Sequence, residues 1–276
     1  MGRGLRATLI ALVFAAGLGL LLYPSVSGYI NSRNQTRVVL SYRDDVEKMD
    51  IADIDAMFAA AARYNEELLA TPDRWLPPDE AGRARYSSLL NVAGRSVIGT
   101  LEIPVIGVNL PIYHSTGVGV LQVGIGHLEG SSLPAGGAGT HTVITGHRGL
   151  PSSVLLSNLD RVEIGDEFTL RVLNRALVYR VDQIRVVLPD DFSELEIMPD
   201  KDYCTLLTCT PYGINSHRLL VRGLRAETHE DEAAPRPLVI RSEARRITSD
   251  RVLLVTLTPL LVILFIVGLF VSDRKP

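Results

Sequence analysis

The sequence predicts a mainly β domain, an antiparallel barrel or sandwich, preceded by a helical region and enclosed between two membrane-spanning helices. Three observations carry that expectation. Short, turn-bounded β-like segments follow one another after Ser96 with no long helix between them. Apolar residues ahead of Trp75 recur at helical spacing, and two uninterrupted apolar runs lie near the chain ends. A length of 276 residues suits one well-packed domain with appendages.

Residues 7–23 form an apolar run behind Arg3 and Arg6, the layout of a signal peptide or an uncleaved signal anchor. The run passes directly into polar, helix-compatible sequence, which favours an anchor over cleavage at Ser25-Val26-Ser27 and makes residues 1–6 a cytoplasmic N-terminus. From Gln35 to about Ala70, residues such as Val39, Tyr42, Val46, Met49, Ile54, Phe58, Ala61 and Leu68 fall near helical spacing. One amphipathic helix packing on the main domain is expected there. Residues 71–78, Thr-Pro-Asp-Arg-Trp-Leu-Pro-Pro, read as a loop because proline lacks a backbone N–H and fixes φ. That loop holds the chain's single Trp and interrupts a helical region spanning 24–95.

The β-like segments are 97–103, 110–114, 142–145, 167–173, 177–187, 203–209 and 218–224. Phe168, Leu170 and Val172 alternate with Glu167, Thr169 and Arg171, the period of a half-buried strand. These segments define a domain over 96–226. The charged stretch 227–251, with Pro235 and Pro237, reads as a tether. Residues 252–271 are apolar throughout and long enough to cross ~30 Å of hydrocarbon as a helix, with 272–276 as a tail. Arg245, Arg246 and Arg251 on one side of this span offset Arg274 and Lys275 on the other. Orientation therefore rests on the first span, which places both termini in the cytoplasm and the long central segment outside the cell membrane.

The net charge of −3 is spread without a basic stripe, which excludes nucleic acid as the expected partner. Cys204 and Cys209 lack the CxxC or Cys/His spacing of a zinc site. Along a strand, five steps of ~3.3 Å separate their Cα atoms by roughly 16 Å, well past the ~7 Å that a disulfide spans. Both thiols are expected to be free and to lie on opposite strand faces, because their separation is odd.

Cys209 ends a β-prone segment, 205–209, and is followed at once by Thr210-Pro211-Tyr212-Gly213. A thiol at a strand end is exposed by the loop beyond it, whereas Cys204 reads as an inert buried residue. A reactive thiol needs a base or a depressed pKa, and the histidines are His114, His127, His141, His147, His217 and His229. Spacing does not choose among them. His147 lies just past a β-like run in Thr145-Gly146-His147-Arg148-Gly149, where glycines permit close approach. Arg218 opens the strand after the Tyr212–Asn215 turn, so a hairpin returns its guanidinium toward the thiol, where a cation steadies a developing oxyanion. For Arg222, farther along the same face, a salt bridge is the default.

Three blocks in order, 126–134 (Gly-His-Leu-Glu-Gly-Ser-Ser-Leu-Pro), 145–151 (Thr-Gly-His-Arg-Gly-Leu-Pro) and 205–222, resemble a sortase of class C, the pilus-assembling type. Thr205, Leu206, Leu207, Thr208 and Cys209 match the Thr-Leu-x-Thr-Cys signature, and the family's Arg falls on Arg218. The resemblance covers roughly residues 64–225. It implies a closed eight-stranded β-barrel and a cysteine transpeptidase that cuts a Leu-Pro-x-Thr-Gly-like sorting signal between Thr and Gly. Cys209 would be the nucleophile, His147 the general acid and base, and Arg218 the oxyanion or substrate positioner, with no metal and no cofactor. The implied partners are pilin or surface-protein substrates and an acceptor amine, either a pilin Lys or a peptidoglycan amine. An inactive membrane-tethered scaffold that binds pilins and a hydrolytic cysteine protease are the readings from other classes. Class C enzymes also carry a lid with an Asp-Pro-aromatic motif; here Asp73-Arg74-Trp75 replaces the proline, and Asp73 and Trp75 are the lid candidates.

Overall fold

The computed structural model describes residues 3–71 and 73–226. The expected second span, 252–271, and the tether before it lie outside the described residues. The first helix, α1 (Arg3–Glu47), carries the N-terminal apolar run through Pro24 into the barrel-packing region without a break. It is the one helix among the described residues long and apolar enough to cross a membrane.

The single amphipathic helix expected from Gln35 to Ala70 is two helices. Helix α1 stops at Glu47 and α2 (Ile51–Leu69) restarts after Asp50, whose extended backbone (φ −71°, ψ 145°) breaks the helical path. The carbonyl of Asp50 accepts from Asp53 N and Ile54 N, which restarts the ladder as an N-cap residue does. The apolar face survives on both: Val39, Tyr42 and Val46 from α1, and Ile54, Phe58, Ala61 and Leu68 from α2, are buried. After the 71–79 loop comes α3 (Glu80–Ser88), whose N-cap Asp79 side chain accepts from Gly82 N at 2.7 Å.

Eight strands follow: β1 (Val97–Ile103), β2 (Val108–Tyr113), β3 (Ile125–His127), β4 (Thr140–Thr145), β5 (Glu167–Val172), β6 (Arg175–Val187), β7 (Asp202–Thr210) and β8 (His217–Arg225). A short helix, α4 (Val118–Val123), joins β2 to β3. The strands close a barrel in the order β1-β2-β3-β4-β7-β8-β6-β5. The antiparallel expectation holds for most ladders, but β2/β3 and β4/β7 are parallel. Parallel neighbours need a crossover in place of a tight hairpin; α4 supplies it for β2 and β3, and the 56 residues numbered 146–201 carry the chain from β4 to β7.

Alternation sorts β7 into two faces. Cys204, Leu206 and Thr208 are buried, with Cys204 and Leu206 joining the barrel core of Leu101, Ile112, Ile144, Phe168 and Leu170. Leu207 points the other way and packs with Trp75, Leu128 and Val187 against a second cluster of Val143, Leu195 and Leu220 on the outside of the barrel. Cys209 shares Leu207's face.

Candidate active site

The outer face of the barrel presents side chains in rows across neighbouring strands, because partners in a ladder point to the same side. Cys209 on β7 pairs with Arg218 on β8, and Arg218 pairs with Val187 on β6. On the other flank of β7, the parallel ladder with β4 ends at Thr145 beside Leu207. Two bonds extend that alignment past the strand end: Gly146 N donates to Leu207 O at 3.1 Å, and Thr208 Oγ1 donates to Gly146 O at 2.8 Å. His147 therefore leaves β4 beside the end of β7 that bears Cys209. Thiol, imidazole and guanidinium come from three adjacent strands to one end of the barrel.

Local sequence fixes each group. Gly146 is buried against Ile125 and Leu156, and a Cβ there would come within 2.7 Å of the Ile125 side chain. The 147–157 loop folds back so that Leu156 N donates to His147 O. Gly149 has φ +79°, and a Cβ on it would strike the Tyr212 ring at 2.9 Å, so the turn after Cys209 seats on the loop after His147. Arg148 bridges the two: it pairs with Asp160 at 2.5 Å, donates to Thr210 Oγ1 at 3.4 Å and lies over the Tyr212 ring. The Arg218 guanidinium donates to the carbonyls of Asn215 and His217 and makes no ion pair among the described residues.

The structure separates the histidines that spacing leaves equivalent. His127 and His141 are fully buried; burial drives both pKa values down to about 4. His127 bonds to Tyr86 and to the carbonyl of Ser132, and His141 to Glu196 O and Thr205 Oγ1. His114 is held by Leu89 O, and burial lowers its pKa too. His217 pairs with Ser216 and sits opposite Thr210, on the strand face away from Arg218. His147, half-buried just past the end of β4, is the remaining described histidine. His229 lies outside the described residues.

The two thiols also part. Cys204 is sealed in the core, where burial raises its pKa well above the usual thiol value and neighbouring Asp202 adds to the shift. Cys209 is partly exposed, and both thiols are free. Arg222 takes the expected salt bridge, pairing with Asp182 at 2.8 Å and lying over Tyr203. Among the described residues no three His, Cys, Asp or Glu side chains gather into a metal-holding group.

The two lid candidates separate. Trp75 stacks on Phe192 with ring centroids 4.9 Å apart, and its loop presses on Gly130, whose missing Cβ makes room for the Arg74 carbonyl. It packs on the outer cluster one row from Cys209. Asp73 is exposed and forms no ion pair with Arg218. Arg74, in place of proline, instead anchors the loop through Leu195 O and Glu196. Thr208 and Arg148 are functional candidates that the sequence reading passed over. Both lie inside quoted motifs, but only the folded structure shows that Thr208 ties the strand of Cys209 to the residue before His147.

The family described as a sortase domain matches residues 101–226. A sortase A of Bacillus anthracis is 27% identical over 214 residues, covering 77% of this chain and 90% of that protein. The crystal structure of sortase C1 from Streptococcus agalactiae superposes with a TM-score of 0.67 at 47% identity, covering 70% of this chain and 100% of that one. That of Streptococcus pneumoniae sortase C, whose description concerns catalysis and pilin substrate specificity, gives 0.64 at 46% identity over 70% and 97%.

Proposed function

We propose a reaction for this chain from one premise: it belongs to the sortase family, the cysteine transpeptidases. Cys209 attacks the carbonyl carbon of the Thr in a Leu-Pro-x-Thr-Gly-like sorting signal. Arg218, its partner across the β7–β8 ladder, faces the oxygen that becomes negative. His147 donates a proton to the departing Gly amine as the C–N bond breaks, leaving a thioester on Cys209. An incoming amine then attacks the thioester, its proton passes to His147, and the Cys209 sulfur leaves as the thiolate that began the cycle. Passing through the thioester splits one difficult amide exchange into two easier acyl transfers, and no metal or cofactor takes part in this reading.

The acceptor in this reading is a pilin Lys amine, so that successive turnovers polymerise pilins. The single observation behind it is the row of Val187, Arg218 and Cys209 with His147 beside it, on a barrel whose structural neighbours include sortases C. Helix α1 serves as the membrane anchor and holds the barrel outside the cell, with residues 252–271 as a second span. Trp75 lids the face that leads to Cys209, and Asp73 joins it when the loop rearranges.

A second reading, attachment of surface proteins to peptidoglycan, is favoured by the similarity to a sortase A. Offering the chain a sorting peptide together with either a Lys-bearing pilin or a peptidoglycan amine separates the two. An isopeptide product with pilin alone supports polymerisation, and a product with the wall amine alone supports anchoring. An inactive scaffold yields neither, and a hydrolytic protease yields free acid with no amine present.

A further inference from the structure

We propose that the loop after His147 and the turn after Cys209 rest on the lipid head-group layer, so that the reaction crevice opens at the bilayer surface. The proposal relies on the anchor assigned above to α1. It adds where the barrel stands relative to the membrane, which anchoring alone leaves free.

Helix α1 does not end where its apolar run ends. It continues into the barrel, where Asn31 Nδ2 donates to Ser152 O at 2.8 Å, and Gln35 Nε2 donates to Val123 O at 2.9 Å and lies 3.1 Å from Ser153 Oγ. Higher up, the Tyr42 hydroxyl donates to Ile98 O and accepts from Leu173 N, and Arg43 pairs with Glu102. A helix tied at four levels holds the barrel at a fixed height.

Helical rise sets that height. The apolar run ends at Tyr23, and at 1.5 Å per residue Gly28 lies ~7.5 Å and Asn31 ~12 Å farther along the axis. The head-group layer on each side of the hydrocarbon is roughly 5–8 Å thick. Ser152 O lies 3.9 Å from where a Cβ would stand on Gly28. A cavity of about 270 Å³ opens between helix and loop, lined by Pro24, Gly28, Leu150, Val154 and Tyr212. The loop that follows His147 thus meets the helix at head-group level, and Tyr212, three residues past Cys209, meets it there too.

The surface chemistry matches that position. Val154 is 47% exposed, Tyr212 64% and Ile214 73%. Of the nearby cations, Arg148 is folded inward onto Asp160 and Arg218 is held on the carbonyls of Asn215 and His217, so the rim itself is apolar. Tyrosine with an apolar body and a polar tip suits the membrane–water interface, and small apolar side chains beside it gain by leaving water.

The test uses the full chain in phospholipid vesicles, in a Trp75→Phe background so that each introduced Trp is the sole indole. Val154→Trp and Ile214→Trp report the rim, Val13→Trp the span, and Ile51→Trp the first residue of α2, beyond the end of α1 at Glu47, which lies ~36 Å above Tyr23 by helical rise. The proposal expects the two rim positions to shift to shorter wavelength and lose intensity when the lipids carry bromine near the glycerol end of their acyl chains, while Ile51→Trp does not change. Quenching at Val13→Trp with rim positions that behave like Ile51→Trp overturns the proposal and leaves the anchor standing. No quenching at Val13→Trp overturns both. A rim shift that grows with protein concentration without bromine quenching assigns the patch to a second copy of the chain, and also overturns it.

Discussion

Cys209 and Arg218 are directly opposite each other in the β7–β8 ladder. Their side chains share the outer face of the barrel, and the guanidinium is tethered by the carbonyls of Asn215 and His217, with no carboxylate partner among the described residues. A cation held by neutral acceptors keeps its charge available to an oxyanion on the neighbouring strand. That relationship sets the first expectation.

Arg218→Ala should lower kcat/KM for transpeptidation by about 10²–10³, the usual cost of losing an oxyanion donor. Arg218→Lys should recover little, because an ammonium does not reproduce the planar fork of donors. Thermal unfolding should change only slightly in both, since the residue is half-buried and has no ion pair among the described residues. Steady-state kinetics alongside melting curves check this.

Thr208 acts through its neighbours. Its buried hydroxyl holds Gly146 O at 2.8 Å and so fixes the point where His147 leaves β4. Thr208→Val should cost about 1–3 kcal/mol by leaving that carbonyl unpaired and should lower kcat more than it raises KM. Thr208→Ser should restore both. A stability loss with unchanged kcat would reduce Thr208 to a structural residue.

Thiol chemistry should separate the two cysteines. A small alkylating reagent at neutral pH should label Cys209 and spare Cys204, whose thiol burial holds protonated. Trp75→Ala should raise the rate of Cys209 labelling, because the indole, tilted against Phe192, joins the outer cluster that includes Leu207, the next residue on Cys209's strand face. Mass spectrometry of the digested protein reads both, and an unchanged rate would mean that Trp75 only pins its loop.

Acid should destabilise the fold through His127 and His141. Burial holds both at about 4, below the ordinary histidine value of 6.5. The folded state keeps the rings neutral while the unfolded chain takes up protons, so stability is lost as pH falls from about 6.5 toward 4. Each ring contributes up to ~1.4 kcal/mol per pH unit in that window. Denaturant unfolding followed between pH 7 and 4 should show the decline, and His141→Gln should flatten it.

The sequence was most informative where local rules decide. The β1 boundaries, the opposite faces of Cys204 and Cys209, and the return of Arg218 toward the thiol all follow from strand period and a short turn between partners. Where distant segments decide, it was silent. The three residues of β3 are too few to show alternation, and the parallel β4/β7 pairing joins strands more than fifty residues apart. That pairing sets the end of β4, and with it the start of the His147 loop, beside the end of β7, which is why spacing left six histidines equal. The break at Asp50 was hidden because α1 and α2 pack their apolar faces against the same core.

The central claim is a covalent intermediate on one sulfur. Mixing the chain with a Leu-Pro-x-Thr-Gly-like peptide, quenching in acid and mapping the digest should locate the peptide, lacking its Gly and all that follows, as a thioester on Cys209. The adduct should vanish when an amine is added and never form in Cys209→Ala. An adduct on any other residue, or transpeptidation that persists in Cys209→Ala, would contradict the account.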